Sequence, residues 1–312
     1  MDLDKLRALV ELSRLRTMTA VAEATGFGTS TVSQQLSALE RQCGVPLLEA
    51  EGRRVRLTAA GRRLAERGRD ILAAVTAAEM DLSTRSEPHG LVRVAGYTTA
   101  MRRHLLPAMA QLARSDPEVR LEIRESEPDE VIALLDTDVI DIGFVYDYTM
   151  VPRRWTHPHQ HLSTSTMVLA VPQDISLPDR ITTPADLAPL RNVGWIGNSR
   201  DTGDDELSAR LCALAGWLPR MTHRADSLDL VVDLVLAGHG VSVLPTDSFE
   251  AQRVRTVALD LADTGRRMWS LVRSGAEQWP ANRAVVENVC RQIAASTSAQ
   301  PAPNATAGSS SR

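Results

Sequence analysis

Residues 17–42 constrain the fold most, because they read as two short helices joined by a tight turn that contains glycine. In the second helix, Val32, Leu36 and Leu39 recur at i, i+4 and i+7, and Cys43 extends this apolar stripe. The pattern predicts a helix-turn-helix. An ordinary amphipathic helix with a solvated polar side explains the same spacing equally well when it is taken alone.

The opposite arc of the second helix carries short polar side chains. Hydroxyls and amides of this kind suit a DNA major groove, because they bond to base edges or phosphates and let the helix backbone approach closely. Gly28 has no side chain with which to cap this helix, so we predict Thr29 as the N-cap. The predicted DNA-binding residues of the helix are Thr29, Ser30, Thr31, Ser33, Gln34 and Ser37.

The segment after this helix, residues 43–61, predicts a β-wing. A hydrophobic V-P-L-L run leads into a glycine turn that carries Arg53, Arg54 and Arg56. Leu47 and Leu57 are expected to face the helices while the arginines reach phosphates. Within residues 53–69 there are seven arginines and one acid, although such a run is often only a solvated face.

Charge divides the chain in a way that fits this interpretation. The net charge of −4 is unusual for a nucleic-acid binder, but residues 1–86 hold 13 Lys and Arg against 11 Asp and Glu. The remainder carries the excess of acid. Positive charge is therefore concentrated beside the helix that is predicted to bind DNA.

These segments together resemble the amino-terminal domain of the LysR-type transcriptional regulators. The resemblance rests on five blocks in the family order: L-x-x-L-x-x-L-V from Leu3, M-T-x-V-A-E-A at 18–24, T-V-S-Q-Q-L-S-A-L-E at 31–40, G-V-P-L-L at 44–48 and G-R-R-V-R-L-T-A-A-G at 52–61. The chain departs from the family at Gly28, where serine is usual, at Gln34, where arginine is common, and at 47–50, where L-L-E-A replaces L-F-x-R. The base contacts are therefore expected to differ, with the wing arginines replacing the missing one.

Residues 58–82 are alanine-rich, lack proline and predict a long helix. Its apolar seam has no evident local partner, so it is expected either to pair with a second chain or to pack within its own. The resemblance implies the first alternative, a linker helix at 59–86 that joins two protomers as a homodimer or homotetramer. The seam residues are Leu64, Ile71, Val75, Ala78 and Leu82.

The following region alternates β-rich runs with helical spacing, which predicts an α/β architecture. Expected strands are 91–96, 119–125, 141–145, 166–171, 193–197, 240–245 and 268–273, and expected helices are 100–114, 128–136, 184–190, 203–215 and 226–237. The resemblance implies that residues 87–297 form a periplasmic-binding-protein-like effector domain of two α/β subdomains, behind an all-α winged helix-turn-helix domain at 1–58. We expect subdomain I at 90–161 plus 265–297, subdomain II at 162–264 and a disordered tail at 298–312.

Ligands of such sheets bind where the carboxyl ends of strands meet, which here is the cleft between the subdomains. We predict effector contacts from residues at strand ends, although ordinary loop capping explains each one separately as well. Asp147 disfavours an anionic effector unless it is paired. The predicted effector-binding residues are Thr98, Thr99, Ser126, Tyr146, Asp147, Asn198 and Ser199.

Other motifs are incomplete. Gly26 and Gly28 lack the third glycine of a nucleotide fingerprint, and no serine completes a nucleophile elbow, so the sequence implies no cofactor and no enzyme. His157, His159 and His161 could share one face of a strand and hold a metal, but Pro158 favours a plain loop. Cys43, Cys212 and Cys290 are expected to be reduced and buried rather than to sense oxidants.

The sequence therefore predicts a transcriptional regulator that binds double-stranded DNA and a small-molecule effector. The alternative is a small-molecule-binding protein or an enzyme with an incidental helical head. With neither a signal peptide nor a membrane-spanning run in the sequence, we expect the protein in the cytoplasm.

Overall fold

Three helices and a hairpin form the amino-terminal head. The computed structural model describes residues 2–51, 54–82, 87–198, 203–249, 253–261 and 263–298. Helices α1 (Leu3–Leu15), α2 (Met18–Thr25) and α3 (Thr29–Cys43) are followed by the antiparallel strands β1 (Leu48–Glu51) and β2 (Arg54–Leu57). The predicted winged helix-turn-helix is confirmed.

A long helix, α4 (Ala59–Leu82), leaves the wing and packs along α1. Two glycines allow α4 to approach the head closely, Gly61 at the segment before β1 and Gly68 at α1. A Cβ at Gly61 would lie 2.1 Å from the carbonyl oxygen of Leu47, and a Cβ at Gly68 would lie 2.8 Å from Cδ1 of Leu6. The first turns of α4 are therefore part of the head, and only its later turns extend beyond it.

The rest of the chain is the predicted α/β region. In chain order it comprises β3 (Gly90–Gly96), α5 (Thr98–Ala100), a π turn (Met101–Leu105), α6 (Leu106–Ser115), β4 (Val119–Glu125), α7 (Pro128–Asp136), β5 (Ile142–Tyr148), β6 (His159–Ser165), β7 (Met167–Val171), β8 (Arg180–Ile181), a 3₁₀ helix (Pro184–Leu190), β9 (Gly194–Gly197), α8 (Gly203–Leu214), β10 (Arg220–Arg224), α9 (Leu228–Leu236), β11 (Ser242–Pro245), β12 (Arg255–Leu259), β13 (Arg266–Val272) and α10 (Pro280–Ser298).

Two separate sheets define the two subdomains. Subdomain I has the strand order β4-β3-β5-β13-β6, in which β3 is parallel to β4 and β5 while β13 is antiparallel to β5 and β6. Subdomain II has the order β11-β7-β12-β8, with the parallel pair β10-β9 joined to it where the Ile196 amide donates to the Val241 carbonyl at 2.9 Å. This is the predicted two-subdomain α/β architecture.

The chain crosses between the subdomains where β6 leads into β7 and again between β12 and β13. All of β6 pairs with β13, so the first crossing follows Ser165 rather than the expected residue 161. This strand was not expected, and neither were β8, β10 and β12. The segment at 184–190 is a 3₁₀ helix that has Pro189 inside it.

Separate apolar cores stabilise the head and the α/β region. Leu9, Leu36, Leu39 and Leu47 lie at the centre of the head, each at most 1% exposed. Phe144 and Trp195 are the largest fully buried side chains of the α/β region. Among the helices that the structure describes, none is both long and apolar enough to cross a bilayer. The expected tail lies almost entirely outside the described residues.

Candidate functional site

Helix α3 packs one face against the core and exposes the opposite face to solvent. Val32, Leu36 and Leu39 are at most 1% exposed, whereas the predicted polar arc lies on the surface. Thr29, Ser30, Ser33, Gln34 and Ser37 are exposed and Thr31 is half-buried. The predicted DNA-binding residues of α3 therefore share one accessible surface, and their contact with bases stays a prediction.

The predicted N-cap of α3 was wrong. Gly28 occupies that position, and its carbonyl accepts the amides of Thr31 at 3.0 Å and Val32 at 3.1 Å. Thr29 is already the first helical residue, since glycine adopts the extended capping conformation easily without contributing a side chain. The hydroxyl of Thr29 is therefore not used as the cap of α3.

A half-buried acidic side chain, Glu40, fixes the wing to α3. Oε1 of Glu40 accepts the amides of Leu47 at 2.8 Å and Leu48 at 2.9 Å, which holds the start of β1 against the recognition helix. As predicted, Leu47 and Leu57 are buried against the helices. The hairpin therefore has a defined position beside the polar face of α3.

Arg56 is the one wing arginine whose side chain the structure describes. Nε of Arg56 donates to Oε1 of Glu49 across the hairpin at 2.7 Å, and both side chains are more than 40% exposed. Exposed pairs of this kind contribute only about 0–1 kcal/mol, so a phosphate can displace Glu49. Arg53 and the side chain of Arg54 lie outside the described residues.

The seam of α4 divides into two parts. Leu64 packs against the head core, whereas Ile71 is 41% exposed and Val75 is half-buried. Ala78 is exposed, and the side chain of Leu82 lies outside the described residues. An apolar row that continues beyond the head with Ile71 and Ala78 still exposed is typical of a helix that pairs with a second copy.

A cleft of about 1080 Å³ lies between the two subdomains. Subdomain I contributes the ends of β3, β4 and β5 and the start of α5, and subdomain II contributes the ends of β9 and β10, α8 and the start of α9. Five predicted residues line it: Thr98, Thr99, Ser126, Tyr146 and Asn198. Ser199 lies outside the described residues.

The prediction that Asp147 lines the cleft was wrong. Its side chain is fully buried on the other face of β5, since successive strand residues face opposite ways. Its carboxylate accepts two bonds from Arg267, at 2.8 and 2.6 Å, one from Nε1 of Trp269 at 2.9 Å and one from the Arg153 amide at 2.9 Å. Asp147 is therefore a structural ion-pair residue.

Three residues that sequence reasoning missed form the floor of the cleft. Tyr148 follows Tyr146 by two positions, so strand alternation could have identified it. Its hydroxyl donates to Oδ1 of Asp204 on α8 at 2.5 Å. Arg266, only 5% exposed, donates to Oδ1 of Asp247 at 2.9 Å. No local pattern relates Asp204 or Arg266 to the strands that they meet.

Aromatic rings surround the Arg266 guanidinium. Its Cζ lies 5.1 Å from the ring centroid of Tyr97 and 5.6 Å from that of Tyr146. Burial raises the pKa of Tyr97 to about 12 and the pKa values of Tyr146 and Tyr148 well above their usual value. These hydroxyls are therefore protonated hydrogen-bond donors at neutral pH. Burial also raises the pKa of Asp204.

The histidine segment differs from the predicted loop. His159 and His161 lie on β6, where both rings contact Trp269 edge-on, with centroids 5.6 and 5.1 Å away. Nε2 of the buried His157 lies 3.3 Å from Asp136. The described residues contain no group of three or more side chains able to hold a metal. His157 is therefore buried, whereas His159 and His161 lie on the exposed side of β6 against Trp269.

The cysteines are separate from the cleft. Cys212 is fully buried in the α/β core, and burial raises its pKa to about 12; Cys43 and Cys290 are partly buried. Thiol oxidation proceeds through the thiolate, so the environment of Cys212 disfavours it.

Comparison with known proteins identifies both halves of the chain. The model of the bacterial regulatory helix-turn-helix protein, lysR family, matches residues 3–62, and that of the LysR substrate binding domain matches residues 85–293. The chain belongs to the LysR family. It is a LysR-type transcriptional regulator with a helix-turn-helix domain and an effector-binding domain.

Individual LysR proteins show how far the similarity extends. YnfL, an HTH-type transcriptional regulator of Escherichia coli K12, is 31% identical over 88% of this chain and 96% of its own length. A full-length OxyR variant from Pseudomonas aeruginosa matches with a TM-score of 0.66 at 21% identity, over 94% of this chain and 97% of that one. Full-length CbnR, solved with its target DNA, matches with a TM-score of 0.52 at 23% identity, over 94% of this chain and all of CbnR. The two structures show the shared fold.

Proposed function

We propose that this LysR regulator recognises operator DNA through the exposed arc of α3 and the wing, and that a small molecule in the inter-subdomain cleft controls this binding. The observation that carries the proposal is that α3 has one buried face and one exposed face. Val32, Leu36 and Leu39 are buried in the head, while Ser30 and Gln34 are exposed. A helix held in this way can enter a major groove without loss of its packing.

We assign one role to each successive segment of the chain. Residues 1–58 bind DNA, 59–86 pair two protomers, and 87–297 bind the effector, with a tail at 298–312. The ligand acts only through its different affinity for two arrangements of the heads. We place this activity in the cytoplasm, and we assign effector binding rather than catalysis to the cleft.

Replacing Arg53, Arg54 and Arg56 together by alanine is expected to weaken binding to all DNA sequences. Each lost phosphate contact lowers the slope of log K against log salt by about 0.9, because fewer counterions are released. Fluorescence anisotropy of labelled duplexes at several salt concentrations measures this slope. Arg120→Ala with Arg124→Ala, on the exposed side of β4, is the control and should not alter it. An unchanged slope in a folded wing variant would contradict the assigned role.

Replacing Ile71 and Val75 by glutamate is expected to dissociate the oligomer, since the changes place unpaired charges in the proposed seam of α4. Sedimentation velocity should show a smaller species. The control is Arg67→Glu on the same helix, whose side chain is 83% exposed, and it should leave the assembly intact. If the double variant sediments like the wild type, pairing occurs through another surface.

A further inference from the structure

The charges inside the cleft restrict the chemistry of the effector, an inference that rests on the proposed role of the cleft. Nine charged side chains among the described residues line it, and six of them are exposed. The other three, Glu127, Asp204 and Arg266, are buried or half-buried. Buried charges interact most strongly with a ligand, because water screens them least.

The one buried cation of this set already has its counter-charge. Arg266 is paired with Asp247, which also accepts the hydroxyl of Ser165 at 2.5 Å. The Tyr97 and Tyr146 rings lie against the guanidinium. Because the two opposite charges compensate each other, this buried pair adds no net charge to the cleft.

Two carboxylates remain on opposite walls of the cleft. Glu127, in subdomain I, accepts the Tyr146 hydroxyl at 3.0 Å, and Asp204, in subdomain II, accepts the Tyr148 hydroxyl. The interior therefore holds two acids beyond the Arg266–Asp247 pair. Tyrosine rings beside carboxylates form an environment that favours an organic cation.

Buried hydroxyls supply an independent indication of a ligand. Thr99 is 7% exposed and Ser126 is 3% exposed, and both line the cleft. Neither hydroxyl forms a side-chain hydrogen bond with any residue in the described part of the chain. Since neither oxygen is among the fully buried atoms without a partner, both hydroxyls are accessible from the cleft and available to a polar ligand that enters it.

We propose that the effector is a small organic molecule with a protonated amine, held by Asp204 and the ring of Tyr148. Its remaining polar groups accept or donate hydrogen bonds at Thr99 and Ser126. A ligand of this kind contacts both subdomains at once and compensates the negative interior of the cleft.

Three probes that share one ring and differ in charge test this proposal: benzylamine, benzyl alcohol and benzoate. Isothermal titration of the full-length protein at neutral pH is expected to give the tightest binding for benzylamine, about tenfold or more tighter than benzoate, a ratio worth about 1.4 kcal/mol. The Asp204→Asn substitution should lower the affinity for benzylamine by a similar factor. Asp174→Asn, in an exposed loop outside the cleft, should not.

Tighter binding of benzoate, or the absence of saturable benzylamine binding at millimolar concentrations, would overturn the inference. So would equal benzylamine affinity in wild type and Asp204→Asn. The comparison of the three probes uses only the wild-type protein, so it does not depend on the folding of a variant. For Asp204→Asn, retained DNA binding shows that the variant is folded. Wild-type protein that binds operator DNA but prefers benzoate would contradict only the ligand class, whereas failure to bind any operator would contradict the proposed function.

Discussion

The Asp147→Ala variant is expected to lose about 3–5 kcal/mol of the free energy of unfolding of its effector domain, because removal of one partner leaves a buried charge network unsatisfied. Arg267, Trp269 and the amide of Arg153 would all lose their common acceptor. For a domain of this size the midpoint of thermal unfolding should fall by roughly 6–20 °C. Differential scanning calorimetry measures the change.

Asp129→Asn is the matched control. Asp129 is also an aspartate that binds Arg153, but it pairs with the guanidinium on the surface. The Asp129 side chain is 67% exposed, so Asp129→Asn should change stability by only about 0–1 kcal/mol. An Asp147→Ala variant that melts no lower than Asp129→Asn would show that this network does not stabilise the fold.

The second large effect is expected at Gln34. Its exposed amide lies at the centre of the polar arc, and a lost bidentate base contact changes discrimination by about 1–3 kcal/mol. Gln34→Ala should therefore reduce the preference for operator over unrelated DNA by about tenfold or more while phosphate-driven binding persists. Competition titrations with operator and scrambled duplexes measure this ratio.

Gln42→Ala is the control, because Gln42 is also exposed on α3 but lies two turns further along the helix. It should keep the operator preference of the wild type. A Gln34→Ala variant with full operator preference would exclude this side chain from base recognition.

Local sequence patterns predicted the elements whose causes are local. The bounds of β4 and α7 match the expected ones because apolar alternation marks the strand, and Pro128 with the capping box of Glu127 and Glu130 begins the helix. The buried stripe of α3 follows the same logic. In α3 and α7 the burial pattern agrees with the local propensity, whereas most residues of β4 are exposed.

The unexpected features depend on contacts between distant parts of the chain. Strand β6 has the polar sequence H-Q-H-L-S-T-S and forms because β13, about a hundred residues later, pairs with it at the sheet edge. The floor of the cleft likewise joins Arg266 to Asp247 and Tyr148 to Asp204. Asp147 lies outside the cleft because its side chain occupies the opposite face of β5, and a position at the end of a strand does not by itself determine that face.

Recognition of operator DNA by α3 can be tested by selecting bound duplexes from a random pool with the full-length wild-type protein. We expect enrichment of one motif with two inverted half-sites, because a symmetric dimer places two α3 helices in successive major grooves about one helical turn apart. Gln34→Ala should select a motif altered at the same position of each half-site. Recovery of DNA with no common motif, or of an identical motif by both proteins, would contradict recognition of operator DNA by α3.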